Sequence, residues 1–457
     1  MDINVRQSRQ GSWRSRWSFV AAATGAAVGL GNLWKFSYLA GENGGAAFVF
    51  AYVLCVLFVA MPIMVAEVVL GSRGRSNPIT SMQDVSLEAG ASAWWQSIGW
   101  LGCVTGLVIL SYYCVIAGWS IAYIEKMFSG QLLAASAQSA GGEFSTLLAD
   151  PATLIKWQSL FLLIVGLVVA AGIRRGVAFL TRLLVPALLV MLIALVFYSS
   201  KVGDMDRALV FLFKLDLEAV TLDTLFAALG YAFFSLSLGV GTMLAYGAYL
   251  PDKRSVTKMV GTVVVMDTLI SLLAGLAIFP LVFSLNLAPT MGPGLMFVAL
   301  PYGFGNMVYG QYFGALFFVM ASAVAVGSGV ALLEPATAWV SEHMRLWRPV
   351  AVLVIVGVVW LLGLATIFSF NRWAGWSFAG FSLFTFLDFI CANVLLPVGG
   401  LLTAVFVGWK MRKEVLRDEL YVESDLIFSL WYRLLRYIAA PGVLVVFVVS
   451  WYQYLSS

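Results

Sequence analysis

Apolar runs of about bilayer length alternate along this chain with short joints rich in arginine, lysine and glycine. A helix rising about 1.5 Å per residue needs about 20 apolar residues to cross the hydrocarbon. On that ruler the pattern predicts eleven spans, at 17–40, 45–71, 94–128, 153–172, 177–199, 222–250, 256–284, 312–342, 349–369, 380–409 and 432–455. Composition agrees, because 61% of the residues are hydrophobic and 11% charged, against about 25% charged in a soluble domain. The expected fold is therefore an all-α polytopic membrane protein. A basic N-terminus before an apolar run also suits a signal peptide, but Gly, Asn and Lys interrupt the first run and further spans follow.

Charge sets the orientation. Basic residues gather in alternate joints: Arg6, Arg9, Arg14 and Arg16; Arg73 and Arg75; Arg174, Arg175 and Arg182; Lys253, Arg254 and Lys258; Arg345 and Arg348; then Lys410, Arg412, Lys413, Arg417, Arg433 and Arg436. The opposite joints are poor in them, and 284–311 carries no charge. The N-terminus is thus expected in the cytoplasm and the C-terminus outside, in the plasma (inner) membrane. The net charge of +4 says nothing about nucleic acid, which is not expected as a partner, and matters only for where the basic residues sit. Cys55, Cys103, Cys114 and Cys391 all lie in apolar runs, which does not suggest a disulfide framework. His343 is alone, so no metal cluster is expected, and no nucleophile–base set suggests an enzyme.

Two spans contain residues that weaken helices. The first holds TGAAVGLGNLWKF (24–36) and the sixth FFSLSLGVG (233–241). They lie five spans apart, which suggests an inverted 5+5 repeat, 17–199 and 222–409, with 432–455 as an added eleventh helix in a single domain over 1–457. Paired interrupted spans point to a transport site near the midplane. Breaking a helix in hydrocarbon frees N–H and C=O groups that must be satisfied. The half-helix N-terminus suits a carboxylate and the freed carbonyls suit a hard cation. A substrate carrying carboxylate and ammonium uses both. The bland alternative is close helix packing through glycine; two clusters at matching positions, one with Asn32, argue against it. Asp267, deep in the seventh span, and Glu67, in the second, are intramembrane carboxylates and so candidates for function or support.

GAAVGLGNLWKF with GENGG (41–45), SYYCVIAGW (111–119), FFSLSLGVG, LLEP (332–335) and RLLRYI (433–438) together resemble the neurotransmitter:sodium symporter family over essentially the whole chain, in its eleven-span form. The resemblance implies a first sodium held by the Ala27 carbonyl, Asn32, Ser235 and Asp267. It implies a second held by Gly25, Val28, Val324 and Ser328, placed in doubt by Gly327, where a threonine or aspartate is usual. The substrate carboxylate would meet the N–H groups of Leu30 and Gly31 and the Tyr113 hydroxyl. The ammonium would meet carbonyls of Ala27, Phe234 and Ser235 near Ser237. Ile109, Tyr113, Phe234, Val240, Ser328 and Leu332 would line the side-chain pocket. Gly29 stands where monoamine carriers place an aspartate, which implies an amino acid as substrate. Glu67 would brace the two breaks. Ala26 stands where one leucine-carrying member has an asparagine.

The same resemblance implies gates: Lys35 with Asp388 outside, and Arg9, Trp13, Tyr249 and Glu342 inside. Tyr52, Ser235 and Ser271 match chloride ligands of the family, but Tyr231 and Asp267 replace a glutamine and an asparagine. A fixed carboxylate there implies chloride independence, and its protonation on the empty return step would permit proton counter-transport. The expected function is sodium-coupled uptake of a neutral aliphatic or aromatic L-amino acid by alternating access. The partners are that amino acid, sodium ions and the bilayer, for a monomer or weak dimer. The rival is a non-transporting amino-acid sensor on the same scaffold.

Overall fold

The computed structural model describes residues 12–251, 254–286, 294–377 and 380–456. Arg6, Arg9 and Lys253 lie outside the described residues. The described residues form helices and no β-strand. Among the described residues nine helices are long and apolar enough to cross a membrane: Ala46–Gly74, Ala93–Phe128, Pro151–Ala170, Ile173–Val202, Val256–Ser284, Gly310–His343, Arg348–Ser369, Leu383–Lys410 and Asp425–Val449. These are spans 2–5 and 7–11. The two expected spans outside that set are the first and sixth, the two carrying the glycine clusters. The first is divided into Arg16–Ala27, Leu30–Leu33 and Lys35–Glu42, and the sixth into Leu222–Ser235 and Thr242–Ala248.

The third and eighth spans form the centre. They pack along one another, and 78% of the most apolar stretch of each is buried, against 28% in the fifth and 22% in the eleventh. The first half of span 1 packs on spans 5, 7 and 8, and the second half of span 6 packs on span 2. Each broken helix is therefore wrapped by unbroken ones, which is where irregular backbone can survive at membrane depth.

Small residues make the tightest of these contacts. A Cβ at Gly71 would lie 2.0 Å from the Leu244 carbonyl oxygen, and one at Gly247 would lie 2.5 Å from that of Val68. π turns interrupt spans 2, 10 and 11 at Val56–Ala60, Cys391–Leu395 and Leu435–Ala439, and others open span 5 at Ile173–Val177 and close span 10 at Phe406–Lys410.

Span limits differ from the apolar pattern most at the last helix, which begins at Asp425 and not near 432. Ser424 accepts a hydrogen bond from the Ile427 N–H (3.3 Å) and starts the helix. The first turns are amphipathic, burying Phe428 and Trp431, so a test for continuous hydrophobicity passes over them. Short helices at Pro78–Glu88, Ala137–Ala149, Met205–Phe213, Leu295–Gly305 and Lys413–Glu419 lie in segments expected as joints.

Gly71→Ala should destabilise the protein by about 1–3 kcal/mol through overpacking. Its thermal midpoint in detergent is to be compared with that of Gly357→Ala, where an added Cβ meets nothing within 4 Å. Equal midpoints for the two variants would remove the close contact of spans 2 and 6 as a stability determinant.

Candidate functional site

The site begins with two stretches of backbone that leave the helical conformation. In span 1, Val28 and Gly29 are extended (φ −75°, ψ 115°; φ −141°, ψ −167°). In an unbroken helix their region's amides would bond to carbonyls four residues back. Instead the Gly29 N–H donates to Asn32 Oδ1 (2.8 Å) and the Leu30 N–H to the Tyr113 hydroxyl (3.2 Å). The carbonyls of Gly25 and Ala26 are thereby released from those helical partners.

In span 6 the chain turns through left-handed backbone at Ser237 (φ 52°), Gly239 (φ 75°) and Gly241 (φ 73°). Glycine adopts this region without steric cost. Ser237 does not, and its hydroxyl is anchored to the Ala26 carbonyl (3.0 Å). The two breaks thus touch each other directly. Glu67, expected to brace both breaks, accepts the Gly239 N–H of span 6 at 2.8 Å, while its other carboxylate oxygen is buried without a hydrogen-bond partner.

Beside the break in span 1 lies a fully buried carboxylate, Asp267. Asn32 Nδ2 donates to its Oδ1 (2.8 Å), the Tyr52 hydroxyl donates to its Oδ2 (2.8 Å), and the Ser235 hydroxyl also donates to Oδ2. Asn32 Nδ2 further reaches Ser271 (2.9 Å) and Ser235 (3.5 Å), and Tyr231 adjoins Ser271 (3.1 Å). A charge so buried persists only with such partners or a cation.

A small cavity of about 30 Å³ lies beside this cluster. Its walls are Ala27, Gly29, Gly31, Ile109, Tyr113, Phe234, Ser235, Ser237, Val240, Ser328 and Leu332, with Asn32, Ala26 and Leu396. Of the twelve residues expected at the substrate, eleven line it; Leu30 reaches it through its N–H on Tyr113. Leu396 was not foreseen. It follows the π turn of span 10 and precedes Pro397, and that proline in an apolar run was the available signal. A side chain at Gly29 would enter the cavity, because its Cβ would lie 2.5 Å from Ser328 Oγ and 3.0 Å from the Tyr113 hydroxyl.

The second expected ion position is narrower. The Ser328 hydroxyl donates to the Val28 carbonyl (3.1 Å). A Cβ at Gly327 would sit 2.6 Å from the Gly25 carbonyl oxygen. Spans 1 and 8 therefore meet backbone to backbone at this point, leaving no room for a threonine or aspartate side chain.

Both ends of the cavity are covered. On one side Lys35 pairs with Asp388 (3.3 Å), the Tyr112 hydroxyl donates to the same carboxylate (3.2 Å), and the Lys35 ammonium lies 4.5 Å from the Phe234 ring centroid. On the other, Trp13 Nε1 donates to the Tyr246 carbonyl (3.0 Å) and the Trp13 N–H to the Tyr249 carbonyl (2.8 Å). The Tyr249 hydroxyl donates to Glu334 (3.1 Å), which is fully buried and paired with Arg348. Glu342 accepts from Ser76 (2.9 Å) and Asn77 (2.7 Å). Arg9, expected here, lies outside the described residues. Glu334 and Arg348 were not expected at this closure. The rule that singles out Asp267, a carboxylate inside an apolar span, also singles out the glutamate of LLEP.

Two helices broken five spans apart, tied to each other around a buried carboxylate and a covered cavity, define a secondary-transporter architecture. The chain belongs to the sodium:neurotransmitter symporter family, whose model matches residues 10–141 and 144–457. It is 34% identical to the uncharacterized sodium-dependent transporter YhdH of Bacillus subtilis (strain 168), over 95% of this chain and 96% of that protein. It is 29% identical to an uncharacterized sodium-dependent transporter of Haemophilus influenzae, over 98% and 99% of the two chains. Among solved structures, that of MhsT in complex with L-phenylalanine superposes with a TM-score of 0.88 at 36% identity, covering 96% of this chain and 99% of that one.

Asn32→Ala should orphan the Gly29 N–H and one Asp267 oxygen, at about 1–3 kcal/mol for each buried group. Its thermal midpoint is expected well below that of Ser37→Ala, which removes a buried hydroxyl bonded within its own helix to the Leu33 carbonyl. A midpoint for Asn32→Ala no lower than the control would mean that the span 1 break does not depend on this cap.

Proposed function

We propose that this protein carries a neutral aliphatic or aromatic L-amino acid into the cell together with sodium, by alternating access and without chloride. The observation that carries the reading is the adjoining of the Asp267 cluster to the broken backbone of span 1 through Asn32. One side chain there serves both the helix break and the buried charge.

In this reading Asn32, Ser235, Asp267 and the Ala27 carbonyl hold the first sodium. The released carbonyls of Gly25 and Val28, with Val324 and Ser328, form a second, leaner position without a side chain from Gly327. The substrate carboxylate lies against the Leu30 and Gly31 amides and the Tyr113 hydroxyl, at the start of the short helix Leu30–Leu33. Its ammonium faces the Ala27, Phe234 and Ser235 carbonyls beside Ser237. Ile109, Val240, Leu332 and Leu396 leave an apolar recess for the side chain. MhsT, whose solved structure contains L-phenylalanine, supports an aromatic or large aliphatic occupant. Basic joints on one side favour a cytoplasmic N-terminus.

Chloride independence rests on charge. Tyr52 and Ser235 donate to Asp267, and Ser271 shares Asn32 Nδ2 with it, so an anion among them would face a carboxylate. Two like charges about 4 Å apart repel by roughly 4 kcal/mol at an effective dielectric near 20. The carboxylate balances the sodium charge in the anion's place, and its protonation on the empty return step would allow proton counter-transport.

Tyr113→Phe deletes a hydroxyl donor to a charged group, worth about 1.5–3 kcal/mol, and should weaken amino-acid binding about tenfold or more. An unchanged dissociation constant in sodium would refute the carboxylate placement. Uptake of radiolabelled phenylalanine and leucine into proteoliposomes tests the rest. Accumulation should need a sodium gradient, proceed equally in chloride and gluconate, resist competition by glycine or lysine, and collapse in gluconate for Asp267→Asn. Binding without accumulation would favour a sensor, and a chloride requirement in the wild type would end the charge argument.

A further inference from the structure

The motif RLLRYI (433–438) in the last span takes no part in the cavity or in either closure. It lies where spans 10 and 11 meet through their π turns, Phe406–Lys410 and Leu435–Ala439. The helices approach closely there, since a Cβ at Gly408 would be only 3.7 Å from that of Arg436. The Tyr432 hydroxyl donates to the Gly408 carbonyl (3.1 Å) and accepts from Arg436 Nη1 (3.2 Å). The Arg436 guanidinium carbon stands 5.0 Å from the Trp409 ring centroid and 5.6 Å from that of Tyr437. Aromatic faces thus frame a guanidinium whose plane is held by a tyrosine.

What is missing is an anion. Arg436 Nε is buried with no hydrogen-bond partner. Among the described residues no carboxylate lies within ion-pair distance of Arg433 or Arg436. In the joint between spans 10 and 11, Asp425 is engaged with Arg417 (2.7 Å), Glu423 with Ser255 (2.7 Å) and the Thr257 N–H (3.1 Å), and Glu419 with Ser72. Yet Arg433, Lys410 and Arg412 add further exposed positive charge around it. Trp409 and Tyr437, 44% and 65% exposed, have the character of residues at a membrane interface. An arginine here reaches toward headgroup level, where the abundant anion is a lipid phosphate, and a guanidinium fork donates bidentately to phosphate oxygens.

The geometry points to a headgroup site for an anionic phospholipid between spans 10 and 11, with Arg436 as the seated ligand and Arg433 as the outer one. Trp409 and Tyr437 flank the headgroup at the level of the glycerol backbone. The site is independent of the transport reading and of which leaflet the basic side faces.

Native mass spectrometry of the delipidated full chain with added phosphatidylglycerol or phosphatidylcholine tests it. The wild type should retain phosphatidylglycerol in preference to phosphatidylcholine. At the contribution typical of one basic residue at an anionic surface, Arg433→Gln should weaken retention about fivefold and Arg433→Gln/Arg436→Gln roughly thirtyfold. Arg182→Gln, an exposed arginine elsewhere on the basic side, should leave it unchanged. Thermal midpoints close to wild type identify folded variants, and Arg433→Gln, at an exposed position, decides the matter if the double variant does not fold. The proposal is overturned by equal retention in wild type and Arg433→Gln, by an equal loss in Arg182→Gln, or by indifference to headgroup charge. Displacement of the lipid by millimolar inorganic phosphate would assign the cluster to a soluble anion and overturn the lipid assignment.

Discussion

The structure turns on one constraint: backbone groups released at membrane depth must find partners inside the protein. An unsatisfied N–H or C=O in hydrocarbon costs several kcal/mol, and two helices here are broken. The Gly29 amide is met from its own span by Asn32, and the other released groups that the described contacts account for are met by side chains from different spans. Tyr113 of span 3 takes the Leu30 amide, Glu67 of span 2 takes the Gly239 amide, Ser237 of span 6 reaches the Ala26 carbonyl, and Ser328 of span 8 reaches the Val28 carbonyl. The breaks are consequently points of convergence. Spans 2, 3 and 8 are held in register by the irregular backbone they surround.

That convergence makes a binding site out of a structural necessity. Partners supplied by hydroxyls are exchangeable: Ser328 and Ser237 donate to the Val28 and Ala26 carbonyls, and a hydroxyl can turn to present its own lone pairs instead. Carboxylates are less interchangeable. Glu67, Asp267 and Glu334 are all buried, but each meets different chemistry. Glu67 receives a backbone amide, Asp267 receives an asparagine, a tyrosine and a serine, and Glu334 receives an arginine and a tyrosine. Only Asp267 is surrounded entirely by neutral donors on side chains, the set that a cation could most readily reorganise.

The first helix was the most legible part of the sequence. Gly25, Gly29, Gly31, Asn32 and Lys35 interrupt an apolar run so visibly that the break could be placed, and the break fixed where the cavity must lie. Asp267 was legible for the same reason, as a charge where none is tolerated without purpose. Glu334 offered the same signal. Its partner Arg348, though, lies at the start of the next span and reads as an ordinary basic joint residue. Leu396 is an apolar residue among apolar residues, and only the fold brings it opposite Gly239, where a Cβ would lie 2.7 Å from its carbonyl oxygen. The short helices in the joints escaped because hydropathy over a bilayer-length window averages them away.

The two closures differ in what must change for either to open. The Lys35 closure is an ion pair between spans 1 and 10, partly exposed on the Asp388 side, so water can replace the partners as they separate. The Trp13 closure joins the start of span 1 to span 6 through the indole and backbone of Trp13, which is 2% exposed, and Tyr249 ties it to the buried Glu334–Arg348 pair, so its opening must hydrate apolar surface and a buried charge pair together. The Lys35 closure also adjoins the cavity. Lys35 rests against Phe234, and Phe234 packs so closely on Gly31 that a Cβ there would lie 2.6 Å from the ring. Phe234 also lines the cavity, so one aromatic side chain is at once a wall of the cavity and the seat of the ammonium that pairs with Asp388.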